Sequence, residues 1–155
     1  MGSGQGGAEE RRRQTPISEH AHRGDAVEGR FLHVLPGETA PQLARASTRW
    51  LQAHLDADRL GDVLLMVSEL VTNSVVYADL THEEDWIRVE CVVLPQCIRV
   101  EVSDSSPGYE PGPARLPPPG DAHGRGVWLV EHLADRWGYD PPGVSRIWFE
   151  LDRTP

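Results

Sequence analysis

Residues Asp58–Ala78 read DRLGDVLLMVSELVTNSVVYA. Leu60, Val63, Leu64, Val67, Leu70, Val71, Ser74 and Ala78 recur at three- and four-residue spacing, so a helix here gathers them into one apolar stripe. Within that helix Glu69 and Asn73 are four residues apart and project from one flank, near Met66 and Val76, at the border of the stripe. A carboxylate beside a carboxamide suits magnesium chemistry. Asn supplies a hard neutral oxygen, and Glu can hold or deprotonate a water or hydroxyl. A plain solvated helix face is the other reading of the same spacing.

The sequence after this helix supplies the surface its stripe needs. In IRVECVV (87–93), Ile87, Val89, Cys91 and Val93 alternate with Arg88, Glu90 and Val92. In IRVEVSD (98–104), Ile98, Val100 and Val102 alternate with Arg99, Glu101 and Ser103. The short joint at 94–97 predicts an antiparallel hairpin. Asp104 is in phase with the apolar set, so it points toward the helix layer. There it needs a donor such as the exocyclic amine of a purine, a water or an Arg. A strand-ending turn aspartate is the plainer alternative.

Before the long helix, Arg30–Leu35 (RFLHVL) predicts a strand ended by Pro36-Gly37, and 40–56 a helix carrying Leu43, Ala46, Trp50, Leu51 and Leu55. After the hairpin, 105–123 holds six of the 13 prolines and reads as a long irregular loop. Gly124-Arg125-Gly126 closes it and opens a helix. Glycines there admit close backbone approach, and a helix N-terminus favours an anion; a simple hinge is the alternative. That helix carries Val127, Val130, Leu133, Ala134 and Trp137, with Gly138 to close it, a turn at 139–143, and a last strand through Ile147, Phe149 and Leu151. Helices do not alternate one-for-one with strands. The expected class is α+β, a mixed and mainly antiparallel sheet with helices on one face.

The chain has 155 residues, enough for one domain: a disordered N-terminal tail is expected over 1–28 and a folded domain over 29–155. Its net charge of -9 has the wrong sign for a nucleic-acid or anionic-membrane binder. No unbroken apolar run approaches a membrane span and the start is no secretory signal, so a cytoplasmic protein is expected. All 15 bases are Arg, which excludes Walker-type lysine loops and Schiff-base mechanisms. Asn73 is the sole Asn. By parity Cys91 points inward and Cys97 outward, which argues against a disulfide between them.

In their order, ELVTNSVVYA (69–78), VSDSSPG (102–108), GRGVWLVEHLADRWG (124–138) and RIWFEL (146–151) resemble the histidine-kinase-like ATPase superfamily. Within it the chain is similar to stand-alone actinobacterial anti-sigma-factor serine/threonine kinases, whose ATP-binding fold has a mixed, mainly antiparallel sheet with helices on one face. The resemblance implies ATP and Mg2+ as cofactors. Asn73 would hold the magnesium at the phosphates, Glu69 would be the general base, and Asp104 would accept the adenine amino group. Gly108 matches the first glycine box, Gly124 and Gly126 the next, Arg125 would add positive field at the phosphates, and 105–123 would be the ATP lid. Ser106 holds the first place of the usual DxGxG glycines, Tyr77 stands where His is frequent, and either Ser145 or Arg146 matches a Thr near the adenine. The implied partners are a sigma factor and an anti-sigma antagonist, and homodimers occur among such relatives.

Overall fold

A computed structural model describes residues 25–107, 125–140 and 145–153. Five strands and three helices follow in the order β1 (Glu28–Val34), α1 (Ala40–Thr48), α2 (Ala57–Tyr77), β2 (Ile87–Val93), β3 (Cys97–Asp104), α3 (Arg125–Leu133), β4 (Arg136–Tyr139) and β5 (Ser145–Asp152). The strands form one sheet in the order β1-β2-β3-β5-β4, every neighbouring pair antiparallel. This is the expected α+β class, with the sheet wholly antiparallel rather than mixed.

The alternation read from the sequence positions the core. Val89, Cys91 and Val93 of β2, Ile98, Val100 and Val102 of β3, and Phe149 and Leu151 of β5 are buried on the face toward the helices. The α2 stripe meets them with Val63, Met66, Val67, Leu70 and Val71. Asp56 caps α2, its carboxylate accepting from Arg59 N–H at 2.8 Å. Beyond Ala78 the chain turns away through Asp79 at φ 51°, a left-handed conformation that Asp tolerates. At 21 residues α2 has the length and apolar character of a membrane-crossing helix, which a search for unbroken runs passes over. In this fold its stripe is occupied by the core.

Three boundaries differ from the expectation. Strand β1 opens at Glu28 rather than Arg30, because Glu28 and Gly29 pair with Val93 and Val92. Helix α1 ends at Thr48, and Arg49–Ala53 tighten to a 3-10 turn instead of continuing to Asp56. The hydroxyls of Ser47 and Thr48 both donate back to the Ala44 carbonyl, at 2.9 and 2.8 Å, and compete with the backbone ladder there. The helix expected through Trp137 ends at Leu133, and Arg136–Tyr139 form β4. Asp135 anchors that change of direction: its N–H donates to the Glu150 carbonyl at 3.0 Å, and its Oδ2 accepts the Asp152 N–H at 2.8 Å.

The outer face of the sheet carries a ladder of charge. Glu150 is 1% exposed, although its parity is outward, because Arg136 Nε (2.7 Å) and Arg99 (3.1 Å) close over its two oxygens. Arg99 continues to Glu101, and Arg146 links Glu101 to Asp140. Cys97 lies on this outer face as its parity requires, yet it is buried rather than exposed. Burial is the main influence that holds its thiol pKa above the ordinary value. Cys91 is on the inner face, and both cysteines are free thiols. The tail assigned to 1–28 lies outside the described residues as far as residue 24.

Candidate functional site

Helix α2 sets Asn73 one turn beyond Glu69 and turns it inward, where it is 9% exposed. Its carboxamide has no hydrogen-bond partner among the described residues. Glu69, half-buried, has no ion-pair partner among them either. The start of α3 lies directly against both: a Cβ built on Gly126 would stand 2.7 Å from Asn73 Nδ2 and 3.4 Å from the Glu69 carbonyl. Gly126 is thus the clearance that lets the first turn of α3 reach α2. Arg125, exposed, precedes it at the helix opening. Gly108 and Gly124 lie outside the described residues, as does 108–123 of the expected lid.

Asp104, 7% exposed, closes β3 on the same side of the sheet. Its Oδ2 accepts the Ser74 hydroxyl at 2.6 Å, and its Oδ1 accepts Ser106 N–H at 3.0 Å and Ser106 Oγ at 2.5 Å. Among the described residues no Arg pairs with it; two hydroxyls and an amide donate to it. Asp104 and Asn73 line one cleft with Leu70, Ser74, Val102 and Ser145. Strand pairing places Ser145 opposite Asp104, whereas Arg146 turns to the outer face and Asp140. Ser145, not Arg146, therefore faces the cleft. Ser106, standing where a glycine is usual, needs no left-handed backbone: Asp79 is the one non-glycine with positive φ among the described residues.

The residues singled out by the sequence thus fall into two adjoining groups. Glu69, Asn73 and Gly126 form one, Asn73 and Asp104 share the cleft that forms the other, and Asn73 belongs to both. Ser74 is the residue that sequence reading missed. It counts as a member of the apolar stripe, and its hydroxyl bonds a residue 30 positions away. A buried hydroxyl directly after Asn73 was the available signal.

This donor set fits a magnesium nucleotide. A buried carboxamide oxygen without a partner among the described residues is a ready hard ligand, a carboxylate one turn away without an ion pair among them can orient or deprotonate a hydroxyl, and the glycine beside them leaves room for nothing bulkier. Leu70 and Val102 give the cleft apolar walls and Asp104 gives it a polar end; at about 20 Å³ it holds a water-sized space, so a planar base would enter by widening it.

Comparison with curated proteins finds no match in sequence. The family model of the histidine kinase-like ATPase domain matches residues 35–147, which span the helix with Glu69 and Asn73, the Asp104 strand end and the Gly126 turn. Domains of this family bind ATP, usually with Mg2+. The match covers most of the chain and every part of the site, and the chain belongs to the histidine kinase-like ATPase family.

Proposed function

We propose that the chain is an ATP- and magnesium-dependent protein serine/threonine kinase of the anti-sigma type. It would sequester a sigma factor in the cytoplasm and phosphorylate an anti-sigma antagonist. The observation that carries the nucleotide part is the buried Asn73 carboxamide, without a hydrogen-bond partner among the described residues, close to Gly126 and opening on the Asp104 cleft. The kinase and partner assignment draws on the resemblance of the four motifs.

In this reading Asn73 Oδ1 holds the metal, Asp104 Oδ2 accepts one base N–H, and Arg125 with the amides at the start of α3 faces the phosphates. Bound magnesium would neutralise the phosphate charge. Glu69 takes the proton from the attacking serine or threonine hydroxyl onto a carboxylate oxygen. Its freedom from ion pairs among the described residues leaves that oxygen open to do so.

The test is calorimetry and phosphoryl transfer on three proteins. Asn73→Ala is expected to lose magnesium-dependent ATP affinity by roughly tenfold or more. Glu69→Ala is expected to keep ATP affinity within a few fold and lose transfer to the antagonist by about 10²–10⁴. If the unaltered protein binds ATP and sigma factor but transfers no phosphate to any antagonist, it is a nucleotide-binding anti-sigma adaptor instead.

A further inference from the structure

Asp104 has more donors than a buried carboxylate that meets a nucleobase would need. An ionised carboxylate offers about four lone-pair positions. Ser106 takes both positions of Oδ1, through its N–H and its hydroxyl, and Ser74 takes one of Oδ2. Among the described residues one acceptor position remains, and it is on Oδ2. Ser74 lines the same cleft as Asn73, while Ser106 lies in the separate groove on the outer side of Asp104.

Ser74 has one hydroxyl proton, and the 2.6 Å bond commits it to Asp104. Toward the cleft its oxygen can therefore only accept. Asp104 Oδ2 and Ser74 Oγ form two adjacent acceptors in the cleft, which Asn73 and Ser145, each able to donate, also line. A purine with a 6-amino group matches this pair, whereas a 6-keto purine sets its oxygen against both acceptors.

We infer that Ser74 is a positioning residue that makes Asp104 selective for a 6-amino purine over a 6-keto purine. It does so by holding Oδ2 in place with its last acceptor position turned to the cleft. The inference rests on the reading of this cleft as the adenine site. Without the Ser74 hydroxyl, Oδ2 loses its fixed donor, and its last acceptor position is no longer held toward the cleft. The discrimination then relaxes.

The experiment titrates the full chain with Mg-ATP and with Mg-ITP, which differ at this purine position. The unaltered protein is expected to bind ATP about a hundredfold or more tightly than ITP. In Ser74→Ala that ratio is expected to shrink roughly tenfold, mainly through weaker ATP binding. Equal weakening of both nucleotides, or an unchanged ratio, overturns the positioning role and leaves Ser74 a packing residue. Asp104→Ala separates the two readings. If it loses ATP affinity while Ser74→Ala keeps the ratio, only the role of Ser74 fails. If it leaves ATP affinity unchanged, the adenine reading of the cleft fails and takes the inference with it. Should Ser74→Ala not fold, Ser74→Cys, close in size and a weaker donor, carries the same comparison and the same outcomes.

Discussion

A methyl group added at Gly126 would come within 2.7 Å of Asn73 Nδ2, a contact that real Cβ atoms do not make. What must yield is the far end of one side chain, since the Glu69 backbone is at an ordinary 3.4 Å. Gly126→Ala should therefore cost little stability, because Ala is also the better helix former by about 1 kcal/mol. The displaced carboxamide, however, should weaken Mg-ATP binding by roughly tenfold. Calorimetry beside a thermal melt reads both quantities, and a large loss of melting temperature with intact affinity would reverse this account. At this scale the Glu69–Asn73 pair was legible, because a four-residue spacing on a helix fixes a shared flank. The reason for Gly126 was not. Sequence reading gives it close approach to a phosphate, whereas the packing shows clearance for Asn73. Ser74 was hidden for a related cause: a hydroxyl inside an apolar stripe shows its purpose only when Asp104 folds against it.

Strand β4 illustrates how an element can be misread from a correct pattern. Trp137 falls at helical spacing after Val130 and Leu133, and Gly138 suits a helix end. Both residues act otherwise, since their fates are set by β5, which follows later in the chain. Trp137 is buried opposite Phe149, and Gly138 lies opposite Trp148. A Cβ at Gly138 would stand 2.7 Å from the Trp148 ring, which also stacks under the Arg99 guanidinium at 4.1 Å. Gly138→Ala should thus displace the indole and destabilise the fold by about 1–3 kcal/mol. Urea unfolding checks this as a lower midpoint with unchanged slope. An unmoved midpoint would mean that Trp148 has another place to go. The hairpin β2–β3 was legible to within one residue, β3 opening at Cys97, because its alternation and its short joint agree and both strands are contiguous in sequence. The shortened α1 was not, for Ser47 and Thr48 fit a helix surface as well as they fit its end.

For the molecule as a whole, the free thiols give a pH dependence whose sign follows from burial. Cys91 sits in the core, and desolvation, the largest influence on it, pushes its pKa from the ordinary 9.0 up to about 12. A group whose pKa is raised in the folded state stabilises fully below the unfolded value and loses that contribution as pH climbs through the folded one. Folding stability should accordingly fall between about pH 9 and pH 12, with Cys91 contributing at most on the order of 4 kcal/mol. Cys91→Ala should flatten that part of the curve in chemical denaturation at stepped pH; identical alkaline slopes in the two proteins would refute it. The fold class was open to sequence reading because strand alternation and the α2 stripe each define one apolar face. The order of the strands was not, since nothing local says that the last strand enters between β3 and β4. That placement has a consequence for synthesis. Until Asp152 has left the ribosome, β3 lacks one neighbour and β4 lacks its sole partner. From the end of β3 at Asp104 until β5 follows, the nascent chain therefore carries an open β3 edge, which the arrival of β5 covers.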